Sequence, residues 1–213
     1  LDRSRNLILG QFFMEQLGTI YRHPVASIAG RKSCREAVRA IILRDHALLM
    51  VYSPVNGDYK FPGGGVDRDE DHATALRREV LEECGANLTH VGAGFGTVVE
   101  YDQPIFPGYD VFQMTSYYYL CEVNEHRQPQ RLDKYEADLQ FEPVWVDVTE
   151  AVRVNQAVLD STGRSAPSWT KRETFVLQQI RSRFFPHDLD PEPGVSTRIP
   201  HCPECGAVWQ AGN

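Results

Sequence analysis

The chain has 213 residues, of which 42% are hydrophobic, and a net charge of −7 at neutral pH. This length predicts one domain, or one domain with appendages. No Lys- or Arg-rich run is present, and no apolar run approaches the roughly 18 residues of a membrane span. We therefore expect neither nucleic acid polymers nor membranes as partners.

The cysteine pattern points to a reducing compartment. The five cysteines are an odd number, which predicts no disulfide framework. The first residues also lack the charged, apolar and small-residue order of a signal peptide. Both observations predict a cytoplasmic location.

Residues 1–34 are weakly patterned and are interpreted as an N-terminal extension, in which LILGQFFMEQLG (7–18) predicts a short helix. From residue 35 the pattern changes. AVRAIILR (37–44) and ALLMVYS (47–53) are rich in β-branched and apolar residues, and they predict the two strands of a hairpin. A loop and a short strand at 59–61 lead from this hairpin into a run of glycines.

The stretch FPGGGVDRDEDHATALRREVLEECGA (61–86) predicts a glycine turn followed by a helix. Successive glycines from Gly63 allow a turn whose backbone can approach a ligand. Acidic residues up to Asp71 favour a helix that starts near residue 70, and Gly85 suits its C-terminal cap. At helical spacing the buried stripe consists of Ala73, Leu76, Val80 and Cys84.

A second face of this predicted helix is acidic. Glu79 and Glu83 are one turn apart on it, and Glu82 lies beside them. Like charges at this spacing repel each other, and only Arg78 stands nearby, so an ordinary solvated face is the less favoured interpretation. Carboxylate oxygens in this arrangement suit Mg²⁺ or Mn²⁺ bound together with substrate phosphates.

The same stretch resembles the Nudix box, the signature of the Nudix hydrolases related to MutT. Every fixed position of that pattern is filled between Gly64 and Ala86. The resemblance implies an α+β fold, a Nudix-type α/β/α sandwich with a mixed β-sheet, over residues 35–185.

The resemblance also implies roles for residues of the box. It implies that the metal is Mg²⁺ or Mn²⁺. Its carboxylate ligands would be Glu79, Glu82 and Glu83, and its backbone ligand would be the carbonyl of Gly63 or Gly64. It further implies that Arg78 orients Glu79. One of the helix glutamates, or an acid from a distal loop, would take a proton from the attacking water.

Downstream of the box the predicted elements continue an α+β order. A loop with two prolines and a glycine separates two of the strands. The polar segment 124–142 predicts a further loop, and Thr149 is a candidate helix cap. The predicted elements are a strand in the second half of 87–102, strands at 111–123 and 143–148, and helices at 149–160 and 169–185.

Nudix enzymes often use one more carboxylate from a loop beyond the box. The candidates in this chain are Glu136, Asp138 and Glu142, which precede the Trp145 strand, and Glu100 and Asp102. Of these candidates we favour Glu136 as the additional catalytic carboxylate.

The tail over residues 186–213 differs in composition and contains HCPECG. Cys202 and Cys205 have the spacing of a zinc knuckle, but a structural zinc site needs four ligands and no second pair exists. The alternatives are a loosely docked tail, a structural Zn²⁺ site completed by another residue or subunit, and redox chemistry.

The resemblance implies metal-dependent hydrolysis of a diphosphate bond in a nucleoside diphosphate linked to another moiety. The substrate would be a small-molecule phosphoanhydride, and nucleotides, dinucleoside polyphosphates and nucleotide sugars all stay open. The alternative is a non-catalytic Nudix-fold sensor that binds a nucleotide, which such an intact box disfavours. The oligomeric state is also open, with a homodimer as one alternative.

Overall fold

The computed structural model describes residues 14–161 and 166–186. Within them the strands are β1 Gln16–Tyr21, β2 Lys32–Ile41, β3 Leu43–Arg44, β4 Ala47–Ser53, β5 Asp58–Lys60, β6 Ala86–Asp102, β7 Val111–Arg127 and β8 Glu142–Asp147. The helices are α1 His72–Cys84, α2 Lys134–Asp138, α3 Val148–Asp160 and α4 Thr170–Phe184.

The strands form two four-stranded sheets, one of them mixed. In the first sheet the order is β1-β6-β7-β2, and the long strands β6 and β7 run antiparallel at its centre. Strands β1 and β2 pair in parallel with β6 and β7, respectively, at the two edges. In the second sheet β4 lies at the centre, where it pairs antiparallel with β3, β5 and β8.

Helices pack on both sides of the sheets because successive strand residues face opposite ways. On strand β4, Leu48 and Met50 belong to one core cluster with the apolar residues of α3 and α4, whereas Leu49 and Val51 belong to another with those of α1. Each side therefore has its own buried core cluster. The prediction of an α+β sandwich with a mixed sheet is confirmed.

Helix α1 begins and ends where the local sequence provides caps. The side chain of Asp71 accepts a hydrogen bond of 2.7 Å from the backbone N–H of Thr74. At the other end Gly85 adopts a φ of 60°, the left-handed conformation of a helix C-cap, and donates to the carbonyl of Leu81. The predicted start near residue 70 agrees with this helix.

Several local predictions differ from the structure. Of the helix predicted at 7–18, residues 7–13 lie outside the described residues, and residues 16–18 are part of a strand because pairing with β6 outweighs local propensity. The polar segment predicted as a loop contains α2 and the end of β7. Helix α3 is capped by Asp147 rather than Thr149, since the Asp147 carboxylate accepts from the N–H groups at positions 149 and 150.

The domain boundaries predicted at residues 34 and 185 leave out β1, a strand of the first sheet. Strand β1 precedes residue 35, and its Ile20 lies in the same core cluster as α3 and α4. The predicted zinc pair, Cys202 and Cys205, lies outside the described residues. In the part of the chain that the structure describes, no helix is both long and apolar enough to cross a lipid bilayer.

Candidate active site

Three carboxylates from two separate elements meet at one end of α1. Glu79 and Glu83 project from that helix, and Glu136 projects from α2, more than 50 residues further along the chain. One carboxylate oxygen from each lies within 4.8 Å of the others. This oxygen-only donor set has the size and chemistry for a hard divalent cation such as Mg²⁺ or Mn²⁺.

The segment before α2 is tied to the C-terminal end of α1 by hydrogen bonds. The side-chain amide of Gln130 donates to the carbonyl of Glu83 at 2.6 Å, and the backbone N–H of Arg131 donates to the carbonyl of Glu82 at 2.8 Å. Asp133 then forms a capping box with Glu136, which fixes the first turn of α2. These bonds place Glu136 beside Glu83.

The glycine turn allows its backbone to approach both the sheet and the carboxylates. Gly63 has a φ of 135°, and a Cβ there would overlap the carbonyl oxygen of Val38. Its N–H donates to a carboxylate oxygen of Glu83 at 2.7 Å. A Cβ on Gly64 would overlap the carboxylate of Glu79. A side chain at Gly64 would therefore displace Glu79, and one at Gly63 would push the turn away from β2.

Arg78 holds Glu79 in place from the edge of the cluster. Its guanidinium donates two hydrogen bonds to Glu70, at 2.7 and 2.8 Å, and one of 2.7 Å to Glu79. A further bond of 3.1 Å reaches the carbonyl of Gly65. These hydrogen bonds raise the pKa of Arg78, so the group stays charged. Glu70 and Gly65 thus fix the guanidinium that orients Glu79.

Burial and mutual repulsion govern the charge of the acids. Glu83 is 1% exposed and pairs with the ammonium of Lys60. Burial, and then the charge of Glu83, raises the pKa of Glu79, although Arg78 opposes this shift. The same two causes raise the pKa of Glu136 to about 7. The cluster therefore carries less negative charge at neutral pH than three free carboxylates would.

The acids open onto a cleft with a volume of about 640 Å³, which is large enough for a nucleotide. One part of its wall is apolar and formed by Ala37, Phe112 and Met114. The aromatic rings of Tyr135 and Trp169 stand together at another part, with ring centroids 6.4 Å apart. The remaining wall is rich in guanidinium groups, those of Arg22, Arg35, Arg39, Arg131 and Arg172.

Comparison with known proteins assigns the family. A family model described as NUDIX domain matches residues 34–166 of the chain. The chain belongs to the NUDIX domain family. The match contains both the helix that carries Glu79 and Glu83 and the short helix that carries Glu136. The resemblance that the glycine turn and acidic helix indicated is thereby confirmed.

Two kinds of curated relatives are similar to this Nudix chain. The RNA pyrophosphohydrolase of Sulfurovum sp. (strain NBC37-1) is 30% identical over 107 residues, which are 46% of this chain and 68% of that protein. The CTP pyrophosphohydrolase of Escherichia coli (strain K12) is 41% identical over 58 residues, 25% of this chain and 43% of that protein. The match to the RNA pyrophosphohydrolase of Helicobacter pylori (strain G27) spans 32% of that protein.

Solved Nudix structures are similar as well. A MutT structure from work on the Aliivibrio salmonicida and Vibrio cholerae proteins matches with a TM-score of 0.48 and 18% identity, covering 71% of this chain and 100% of that one. A NUDIX hydrolase of Nitrosomonas europaea matches with a TM-score of 0.45 and 21% identity, over 61% of this chain and 82% of that one. The family match and the pyrophosphohydrolase relatives make the chain a Nudix hydrolase, an enzyme that acts on phosphoanhydrides.

The residues singled out in the sequence divide into two groups in this Nudix site. Glu79, Glu83 and Glu136 come together, and Arg78 bonds to the first of them. Glu82 lines the cleft but lies outside the cluster; its side chain is 40% exposed and faces Arg78 at 3.4 Å.

The two glycines predicted to offer a carbonyl also differ from each other. The Gly64 carbonyl accepts a hydrogen bond of 2.9 Å from the N–H of Val38, an interaction that joins the turn to β2. The Gly63 carbonyl accepts none from the described residues. Gly63 is therefore the better placed of the two to offer a backbone ligand.

Three of the four other acids considered as the distal carboxylate have partners elsewhere. Glu100 is buried between Arg22 and Arg172, Asp102 pairs with His23, and Asp138 pairs with Lys134 on the surface. None of these three is part of the carboxylate cluster in the described residues.

The cationic residues of the cleft are the part of the site that the sequence did not reveal. Lys60 directly precedes the glycine turn, whereas the arginines of β2, of α4 and of the segment directly after β1 are distant from the box in sequence, and the tertiary fold brings them to it. Alternation along β2 is the one signal that could have found a pair of them, since Arg35 and Arg39 share a strand face.

Proposed function

We propose that the protein hydrolyses the diphosphate bond of a nucleoside diphosphate linked to another group, with Mg²⁺ or Mn²⁺ as cofactor. The convergence of Glu79, Glu83 and Glu136 within 4.8 Å carries this proposal, because the fold brings the carboxylate of α2 to the two of α1 and together they suit a site for a hard cation. The pyrophosphohydrolase relatives support the choice of bond.

Glu79, Glu83 and the Gly63 carbonyl would hold the metal. When bound there, such an ion supplies neutralisation of the diphosphate charge and lowers the pKa of the attacking water. Arg78 keeps the Glu79 carboxylate turned toward the cleft, and the Gly63 N–H and Lys60 fix the two oxygens of Glu83. Because these bonds exist before substrate arrives, little reorganisation is needed on binding.

Glu136 is the best candidate for the general base. Its pKa of about 7, raised by burial and by the charge of Glu83, suits a group that accepts a proton near neutral pH. In the proposed reaction Glu136 takes a proton from water while the water oxygen bonds to one phosphorus. The bond from that phosphorus to the bridging oxygen breaks, and the other phosphate leaves with the bridging oxygen.

A substrate panel with a matched pair of variants tests the proposal. The panel contains nucleoside triphosphates including CTP, dinucleoside polyphosphates, nucleotide sugars, ADP-ribose and an RNA with a terminal triphosphate. Phosphate or nucleotide release is measured with Mg²⁺, with Mn²⁺ and with EDTA. We expect turnover of at least one small-molecule substrate that requires the metal, and no preference for the RNA.

The variant Glu83→Gln should lower kcat on the best substrate by at least about a hundredfold, more than the loss usual for outer ligand partners. Glu150→Gln, an exposed glutamate of α3, is the control and should keep full activity. Full metal-dependent activity of Glu83→Gln would show that this assignment is wrong.

The homodimer and the cytoplasmic location stay predictions.

A further inference from the structure

In the guanidinium-rich wall of the cleft, two neighbouring arginines on β2 lack the partners usual for such groups. Arg35 and Arg39 lie on the same face of β2, and both line the cleft. Ala37 lies between them on that face, and its small side chain leaves the space above the strand open. The carboxylate cluster and the glycine turn border this space.

Arg39 is buried, yet most of its hydrogen-bonding capacity is unused. The residue is 9% exposed, and its Nε and Nη1 atoms have no hydrogen-bond partner among the described residues. Its nearest carboxylate, Glu173, is 3.9 Å away, beyond hydrogen-bond distance, and already accepts two bonds from Arg172. The charge of Arg39 also reaches Glu79 and favours the ionised form of that acid.

The backbone of Arg35 pairs with β7, but its guanidinium has neither a hydrogen bond nor an ion pair within residues 14–161 and 166–186. Its guanidinium lies against the glycine turn, where a Cβ on Gly65 would come within 2.8 Å of Nη2. The missing side chain at Gly65 therefore lets this cation reach the border of the carboxylate cluster.

The other buried charges of this wall are balanced. Glu100 accepts from Arg22 at 3.0 Å and from Arg172 at 2.5 Å, and Arg172 also bonds to Glu173. These two cations and two anions compensate one another, whereas the neighbouring guanidinium groups of Arg35 and Arg39 on β2 have no hydrogen-bonded anion among the described residues. A cation held in a partly buried site without a bonded anion is costly unless a ligand supplies the anion.

We propose that Arg35 and Arg39 form a subsite for a phosphate group that the substrate carries in addition to the two phosphates of the scissile bond. Phosphate oxygens would accept from Nε and Nη1 of Arg39 and from the free guanidinium of Arg35. This inference rests on the proposed function and narrows it. Polyphosphate substrates fit the cleft better than nucleotide sugars, whose second group is uncharged.

The subsite can be tested without catalysis. Sodium pyrophosphate is titrated into the protein by calorimetry in EDTA, so that no divalent ion contributes. We expect saturable binding by the wild-type protein and at least about tenfold weaker binding by Arg35→Gln and by Arg39→Gln, since each removes charged hydrogen bonds. Arg153→Gln, which removes an exposed arginine of α3 outside this cleft, is the control and should bind as the wild type does.

Equal affinity in all four proteins would overturn the subsite, as would failure of the wild-type protein to bind. Arg39 is buried, and its substitution can disturb folding. Arg35 is exposed and has no partner to lose, so its variant then decides the question.

A kinetic comparison tests whether a phosphate of the substrate binds at the subsite. For one base, a nucleoside triphosphate is compared with the corresponding nucleoside diphosphate sugar, both with Mg²⁺. Arg35→Gln should lower kcat/KM at least about tenfold for the triphosphate and leave that for the sugar within about twofold. Equal losses for both compounds would overturn the proposal. If neither compound nor any other is hydrolysed, the proposed function fails, while the pyrophosphate titration still decides the subsite.

Discussion

Replacing Glu100 by glutamine should destabilise the protein strongly, although Glu100 lies outside the Nudix box. Its carboxylate is 1% exposed and accepts from Arg22 and Arg172, and Arg172 is itself fully buried. The amide keeps the shape of the side chain but removes the negative charge. Arg172 then keeps Glu173 as its sole buried anion, while Arg22 loses its partner.

The expected magnitude follows from this geometry. Removing one partner of a buried ion pair costs about 3–5 kcal/mol. The lower end applies, because Glu173 still compensates Arg172 and the glutamine oxygen can accept one hydrogen bond. A loss of about 3 kcal/mol corresponds to a fall in Tm of roughly 6–12 °C for a domain of this size.

Urea unfolding at pH 7, followed by circular dichroism, measures this difference. The control is Glu150→Gln, which breaks an exposed pair with Arg153 and should change the free energy of unfolding by less than about 1 kcal/mol. If Glu100→Gln lowers the free energy of unfolding by no more than this control does, the buried ion pairs of Glu100 do not stabilise the fold as inferred.

The same comparison has a defined pH dependence. Burial raises the pKa of Glu100, but the charges of Arg172 and Arg22 and their hydrogen bonds outweigh it and hold the pKa below its usual range. A lowered pKa in the folded state stabilises the fold above the unfolded-state value of about 4.3. The difference in free energy of unfolding between the wild type and Glu100→Gln should therefore be constant near neutral pH and shrink as the pH falls below about 4.

Two further predictions concern α1. Arg78→Gln removes the hydrogen bond that orients Glu79, so the Mg²⁺ concentration at half-maximal rate should rise about 10–100-fold. An unchanged concentration would contradict the positioning role. Asp71→Ala removes the N-cap bond to Thr74 and should lower the free energy of unfolding by about 1 kcal/mol in urea while kcat stays near wild type; no loss of stability would argue against the cap.

The sequence was most informative where function depends on local spacing. Helical periodicity alone puts Glu79 and Glu83 on one face, and Gly85 and the acids before residue 72 delimit the helix. Glu136 was chosen from several distal acids, and the structure brings it to the other two. Glu82 shares their charge but points toward Arg78 and solvent, a difference of side-chain direction that spacing does not determine.

Long-range pairing accounts for most of what the sequence left undetermined. The position of β1 depends on an edge of β6 that is about 80 residues away along the chain. Glu100 is a plausible catalytic acid from the sequence, but the fold buries it between two arginines, one directly after β1 and one on α4. No local pattern around Arg22 or Arg172 indicates that either one lies in the cleft.

The buried residues of β1 and α4 have a practical consequence for work with fragments. The family match ends at residue 166, yet Ile20 before it and Val176, Leu177 and Ile180 after it belong to the same core cluster as α3. A fragment trimmed to residues 34–166 would expose that apolar surface and leave Glu100 buried without either arginine. Such a fragment would aggregate even though it retains every residue of the box, so protein for the assays above should extend across residues 14–186.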